Sequence, residues 1–141
     1  MNNNESMTIN FEDEKALEIE IALNVTIWEL LKELDHNFNF IKLYDVANWE
    51  QCDDSEILNT IDVSAYLTGE IFIINDASYL NKIIFKTTDD EICEFVNSYN
   101  STFDYRECLF DGDAFFISLE SMNMLYFHHE GIWFLYQLPL I

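Results

Sequence analysis

The stretch YRECLFDGDAFFISLESMNMLYFHHEGIWFLYQL, residues 105–138, decides the fold class. It is dense in aromatic and β-branched residues and is interrupted by two turn signals. Asp111-Gly112-Asp113 separates Tyr105–Phe110 from Ala114–Leu119, as in a hairpin. His128-His129-Glu130-Gly131 separates Met124–Phe127 from Ile132–Leu138 in the same way. The pattern predicts a C-terminal meander of about four antiparallel strands.

Two amphipathic helices are expected upstream. Thr26 and Glu29 have capping-box spacing, with Val25 and Leu30 placed as a hydrophobic staple. Ile27, Leu30, Leu31 and Leu34 follow at i, i+3, i+4 and i+7, which is one helical face. Thr88 and Glu91 repeat the capping spacing. Asp89, Asp90 and Glu91 set negative charge where the helix dipole favours it. Ile92, Phe95, Val96 and Tyr99 form the second stripe, and Asn100-Ser101-Thr102 should end it.

Other segments read as strands. Leu17 to Leu23 alternates apolar residues with Glu18, Glu20 and Ala22, which would put both glutamates on one face. Phe40 to Val46 and Ile61 to Leu67 are weaker candidates. Ile71–Ile74 is a short continuous apolar run suited to a central strand, with Lys82–Lys86 as its neighbour. Helices plus an antiparallel sheet define the α+β class. Residues 1–7 are polar and expected to fray; residues 8–141 read as one acidic domain.

Charge is the strongest compositional signal. Asp and Glu total 27 against 6 Lys and Arg, a formal net charge of -21. Small soluble domains sit at a magnitude of about 2–8. Disorder would couple such charge to low hydrophobicity, whereas half of these residues are hydrophobic. Adaptation to high salt would favour Ala and Gly, and only 3 Gly are present. A cationic partner remains the favoured reason. An acidic surface speeds association with a basic target and repels nucleic acid and anionic membrane.

The residues after Met1 provide no basic and apolar leader, and no apolar run is long enough to span a bilayer. Cys52, Cys93 and Cys108 are odd in number and widely spaced, which suits a reducing, cytoplasmic setting. Chemistry-bearing motifs are sparse. Asp111-Gly112-Asp113 lacks the alternating oxygen ligands of a calcium loop, because Phe115 and Phe116 fall where ligands are needed. His128 and His129, as neighbours on a strand, would face opposite ways and chelate poorly. No cysteine has a local base, and no phosphate or dinucleotide fingerprint occurs. The expectation is therefore no enzyme activity, no catalytic residue, no metal and no cofactor. A small hydrolase built on paired carboxylates is the alternative from another class.

The acids are read collectively as partner-binding. Asp53, Asp54 and Glu56 follow Trp49-Glu50; they either form an acid-and-aromatic contact surface or cap a short helix at 55–58. Trp49 is either an anchor for the partner or core. Glu18 and Glu20 extend the candidate set, as do Asp104, Glu107, Asp111 and Asp113. From Thr87 to Ile141 these belong to ten acids opposed by Arg106 alone.

In overall type, being small, very acidic, aromatic-rich and α+β, the chain resembles the immunity proteins of bacterial toxin systems, including contact-dependent inhibition and polymorphic toxins. The resemblance implies a cytoplasmic protein that binds a basic toxin domain, typically a nuclease, and blocks its active site without contacting nucleic acid or membrane. A phage-type inhibitor or DNA mimic, filling a nucleic-acid channel with carboxylates at near-phosphate spacing, is the alternative on the same physics.

Overall fold

The computed structural model describes residues 7–103 and 108–140. Seven strands form one sheet: β1 (Thr8–Asn10), β2 (Phe40–Asp45), β3 (Glu70–Ile74), β4 (Ile83–Thr88), β5 (Ala114–Ser118), β6 (Asn123–His128) and β7 (Ile132–Gln137). Their order is β1-β4-β3-β5-β6-β7-β2, and every neighbouring pair is antiparallel. β5, β6 and β7 are the expected meander, and the fold is α+β. The expected fourth strand is absent over the described part of Tyr105–Phe110. Cys108 has no regular secondary structure, and Leu109 and Phe110 are a buried turn. Asp111-Gly112-Asp113 therefore leads into β5 instead of closing a hairpin; residues 105–107 lie outside the described ones.

The five α-helices among the described residues are α1 (Glu14–Leu23), α2 (Leu30–Leu34), α3 (Asp54–Leu58), α4 (Asp76–Asn81) and α5 (Ile92–Phe103). They cover both faces of the sheet. Ile71, Ile73, Phe85, Phe116, Phe127 and Trp133 pack with α3 and α5. Phe72, Ile74, Ile84, Phe115, Ile117 and Met124 pack with α1 and α2. A sheet covered on both sides needs apolar side chains at successive positions, not alternate ones. This is why the central strands read as unbroken apolar runs.

The largest difference from expectation is α1. Leu17–Leu23 alternates with period two, yet Ala16, Ile19 and Leu23 also fit i, i+3 and i+7, and these three are buried. The helix wins because the second sheet face needs a cover and Glu, Lys, Ala and Leu are good helix formers. Asp13 caps it by accepting from the Lys15 N–H at 2.8 Å. Leu17 and Ile21 are left exposed. Glu18 and Glu20 consequently do not share a strand face.

The segment at 27–34 starts as a 3-10 turn (Ile27–Glu29) before α2, and Thr26 makes no side-chain cap. Glu20 replaces it, its Oε2 accepting from the Ile27 N–H at 2.7 Å. Of the predicted stripe, Ile27, Leu30 and Leu34 are buried and Leu31 is exposed. In α5 all four stripe residues, Ile92, Phe95, Val96 and Tyr99, are buried. Thr88 Oγ1 accepts from the Glu91 N–H at 3.2 Å, as its spacing predicted. The helix passes through Asn100-Ser101-Thr102 to Phe103 instead of stopping; poor helix formers of this kind cost only up to about 0.7 kcal/mol each. Ile61–Leu67 contains a 3-10 turn, Val63–Ala65, not a strand. No helix among the described residues is long and apolar enough to cross a membrane.

Candidate functional site: an aromatic edge and its acidic surroundings

The helical cover reaches β7, where Trp133 and Tyr136 are buried, but leaves most of β2 open. β2 pairs with β7 on one side only and ends the sheet. Its side chains are mostly exposed: Phe40 39%, Ile41 61% and Tyr44 49%. Phe38, just before it, is 83% exposed, and Trp28 on the adjacent 3-10 turn is 59% exposed. Between these elements runs a groove of about 720 Å³, lined by Trp28, Leu31, Phe38, Phe40, Phe134 and Tyr136 among others. The Phe40 ring meets Phe134 edge-on at 5.5 Å and Tyr136 at 5.3 Å, so the groove has a fixed aromatic floor.

Asp35 also lines the groove. Burial, then Asp35, pushes the Tyr136 phenol above its ordinary value. Tyr126 is pushed up by burial, by its hydrogen bond to Asp113 and by the charges of Asp113 and Asp35. The groove thus combines an apolar floor with one carboxylate, Asp35, and one ammonium, Lys32, at its wall.

Sequence reading missed this surface. Its signals were Trp28, off the buried stripe of its helix, and Phe38 beside the Phe40-Ile41 start of the strand expected at 40–46.

The predicted site residues divide between structural and free positions. Asp53 is the N-cap of α3, accepting from the Glu56 N–H at 2.8 Å, and Glu56 returns a capping-box bond to the Asp53 N–H at 3.2 Å. Asp54 accepts from the Leu109 and Phe110 N–H groups. Its carboxyl is pushed up, mainly by burial and secondarily by Asp53 and Asp111, while the two backbone bonds pull it down. The fold thus brings Asp53, Asp54 and Asp111 into one electrostatic neighbourhood from distant parts of the chain. Beside them, burial and then Asp54 and Asp111 push the Cys108 thiol up, the reverse of what a thiolate nucleophile needs.

Trp49 is half-buried, edge-on to Phe127 at 5.9 Å and against Gly131; it belongs to the core margin. Glu50 next to it is exposed. Glu18 pairs with Lys15 at 2.9 Å. Asp113 Oδ1 accepts from the Tyr126 hydroxyl at 2.6 Å and the His129 N–H at 3.1 Å, and meets His129 Nδ1 at 3.1 Å. Asp104 and Glu107 lie outside the described residues. Because α1 and α3 sit on opposite sheet faces, Glu18 and Glu20 do not join the Asp53–Asp111 group.

The expectation that His128 and His129 face opposite ways is also corrected. β6 ends at His128, and the turn folds the His129 ring onto it, stacked at 4.0 Å. With Asp113 they bring ligand atoms within 4.8 Å of one another. However, His128 Nδ1 accepts from the Glu130 N–H at 3.0 Å and His129 Nδ1 lies 3.1 Å from Asp113 Oδ1, so one nitrogen of each ring is already engaged. Those bonds lock the 128–131 turn.

Among the described residues, lysine–carboxylate ion pairs join Lys15 to Glu18, Lys42 to Asp45 and Lys86 to Glu70. The whole chain has 27 Asp and Glu against 6 Lys and Arg, so carboxylates outnumber cations more than fourfold. Comparison with protein-family models, with curated proteins and with solved structures finds no match to this chain.

Proposed function

We propose that this chain is an acidic inhibitor of the immunity-protein type, which binds a basic protein, a nuclease-type toxin domain, and covers its active site. One observation carries the reading: an exposed aromatic and aliphatic surface at Trp28, Phe38, Phe40, Ile41 and Tyr44 lies on a scaffold of net charge -21. The two halves do different work. Unpaired carboxylates raise the encounter rate with a basic surface over roughly a Debye length, about 10 Å at 0.1 M salt. Aromatic anchors, once desolvated, slow dissociation. A nuclease cleft is basic because it holds phosphates, so carboxylates placed against it satisfy the same cations.

The three cysteines are free, which supports work in a reducing compartment such as the cytoplasm. The acids used for contact are drawn from those without capping duties, such as Glu50, Asp111 and Glu130; Asp53 and Asp54 support the fold first.

Co-expression with the product of the neighbouring gene tests the reading. The product should be toxic alone and harmless with this chain. The purified pair should associate at a rate that falls steeply with added salt. A harmless neighbour, or an association rate indifferent to salt, overturns it.

A further inference from the structure

We infer that β2 is a docking strand: an extended, lysine- or arginine-bearing segment of the partner pairs along its outer edge and continues the sheet. This rests on the proposed function and names how that partner is held.

Open sheet edges invite pairing with other chains, and soluble proteins usually shorten or charge them. The opposite edge strand, β1, is only three residues long. β2 has six, and no described strand pairs on its outer side. Phe40, Ile41 and Tyr44 expose large apolar area along it. Burying that area beside a new strand adds cross-strand contacts to the backbone hydrogen bonds.

Charge selects the occupant. Asp35 stands in the groove with Phe40, alongside Lys32. At the other end the Val46 N–H donates to the Gly131 carbonyl at 2.7 Å, which brings up Glu130, and Trp49 on Gly131 brings up Glu50. Lys42 is engaged with Asp45 at 2.7 Å. The chain's net charge of -21 favours a basic strand at this edge. A second copy would bring another charge of -21 to the same place. A basic segment meets no such repulsion.

The test uses the isotope-labelled chain at low ionic strength and the capped peptide Lys-Val-Lys-Val-Lys-Val-Lys. Amide shifts should centre on Phe40–Asp45, and hydrogen exchange there should slow several-fold. The same peptide with alternate backbone nitrogens methylated should bind at least about tenfold more weakly, because it cannot complete the ladder. Changing Ile41→Lys together with Tyr44→Lys should weaken the parent peptide to a similar degree. Both positions are exposed, and the methylated peptide on the unaltered chain decides the matter should that variant misfold. Equal binding of the methylated peptide overturns strand pairing. Shifts confined to other surfaces overturn the assignment of β2 while leaving the acidic-inhibitor reading standing. Absence of any salt-dependent binding overturns both. A two-chain mass in sedimentation at low ionic strength, without peptide, overturns the choice of occupant.

Discussion

The Asp54 carboxylate accepts from the backbone N–H of Leu109 at 2.8 Å and of Phe110 at 3.3 Å, closing a contact between residues 55 and 56 positions apart. It ties the first turn of α3 to the buried segment that leads into β5. An acid that reads in sequence as surface charge is thus a structural acceptor.

Asp54→Ala should therefore cost about 1–3 kcal/mol in urea unfolding, since two N–H groups in a half-buried place lose their acceptor. Its pH dependence has a definite sign. The folded-state value lies above the ordinary 3.8, with burial the largest cause. The native state then holds the proton more tightly than the unfolded chain. The contribution of Asp54 grows as pH falls through the folded value, is complete below the unfolded one, and is lost as pH rises. Relative to Asp54→Asn, which has no such titration, the wild type should gain stability on acidification towards pH 4.

Tyr79 donates its hydroxyl proton to the Ile27 carbonyl at 2.8 Å and packs with Trp28 and Phe11. Tyr79→Phe should cost about 0.5–1.5 kcal/mol. Burial, then Asp113 and Asp76, raises this phenol well above 10. Stability should fall as pH rises beyond the unfolded tyrosine value, about 10. The variant should show a shallower alkaline decline in melting temperature.

Gly131 sits at φ +88°, and a Cβ there would collide with the Trp49 ring at Cδ1 and Cγ. Gly131→Ala combines left-handed strain with overpacking and should destabilise by about 1–3 kcal/mol. A calorimetric melting temperature lowered by several degrees is the expected readout. Trp49→Ala should likewise lower it, since the indole covers Phe127.

Asp113→Ala should leave the Tyr126 hydroxyl without its 2.6 Å acceptor and release the His129 backbone. The expected cost is about 1–3 kcal/mol, with faster hydrogen exchange at 128–131. An unchanged exchange profile would mean the turn does not depend on this carboxylate.

Phe38 presents the opposite case. At 83% exposure, Phe38→Ser should leave unfolding free energy within about 0.5 kcal/mol. If the groove is the partner surface, its complex should dissociate about tenfold faster. Loss of stability without change in binding would move Phe38 into the fold and out of the interface.

Sequence reading succeeded where one local period was unambiguous. Ile92, Phe95, Val96 and Tyr99 fit only a helix, and β3, β6 and β7 were marked by short apolar runs between turn residues. It failed where two periods coexisted or where distant contacts chose the outcome. Residues 17–23 satisfy period two and, with Ala16, the helical period as well. Residues 108–110 are apolar enough for a strand, yet the Leu109 and Phe110 N–H groups find Asp54 instead of a neighbouring strand. Trp49 was open between anchor and core until Phe127 and Gly131 stood beside it. The aromatic edge was the hardest to read, because exposure of Phe40 and Ile41 depends on where the helical layers stop.

By itself, the chain's sequence determined the net charge, the α+β class, the stripe of α5 and the C-terminal strands, because each follows from composition or from neighbours within a few residues. Only the tertiary structure decided that α1 is helical, that Asp53 and Asp54 serve the fold, and that β2 lies open at the sheet edge. Those outcomes depend on which surfaces remain to be covered once the sheet has formed, and that is a property of packing between segments far apart in the chain.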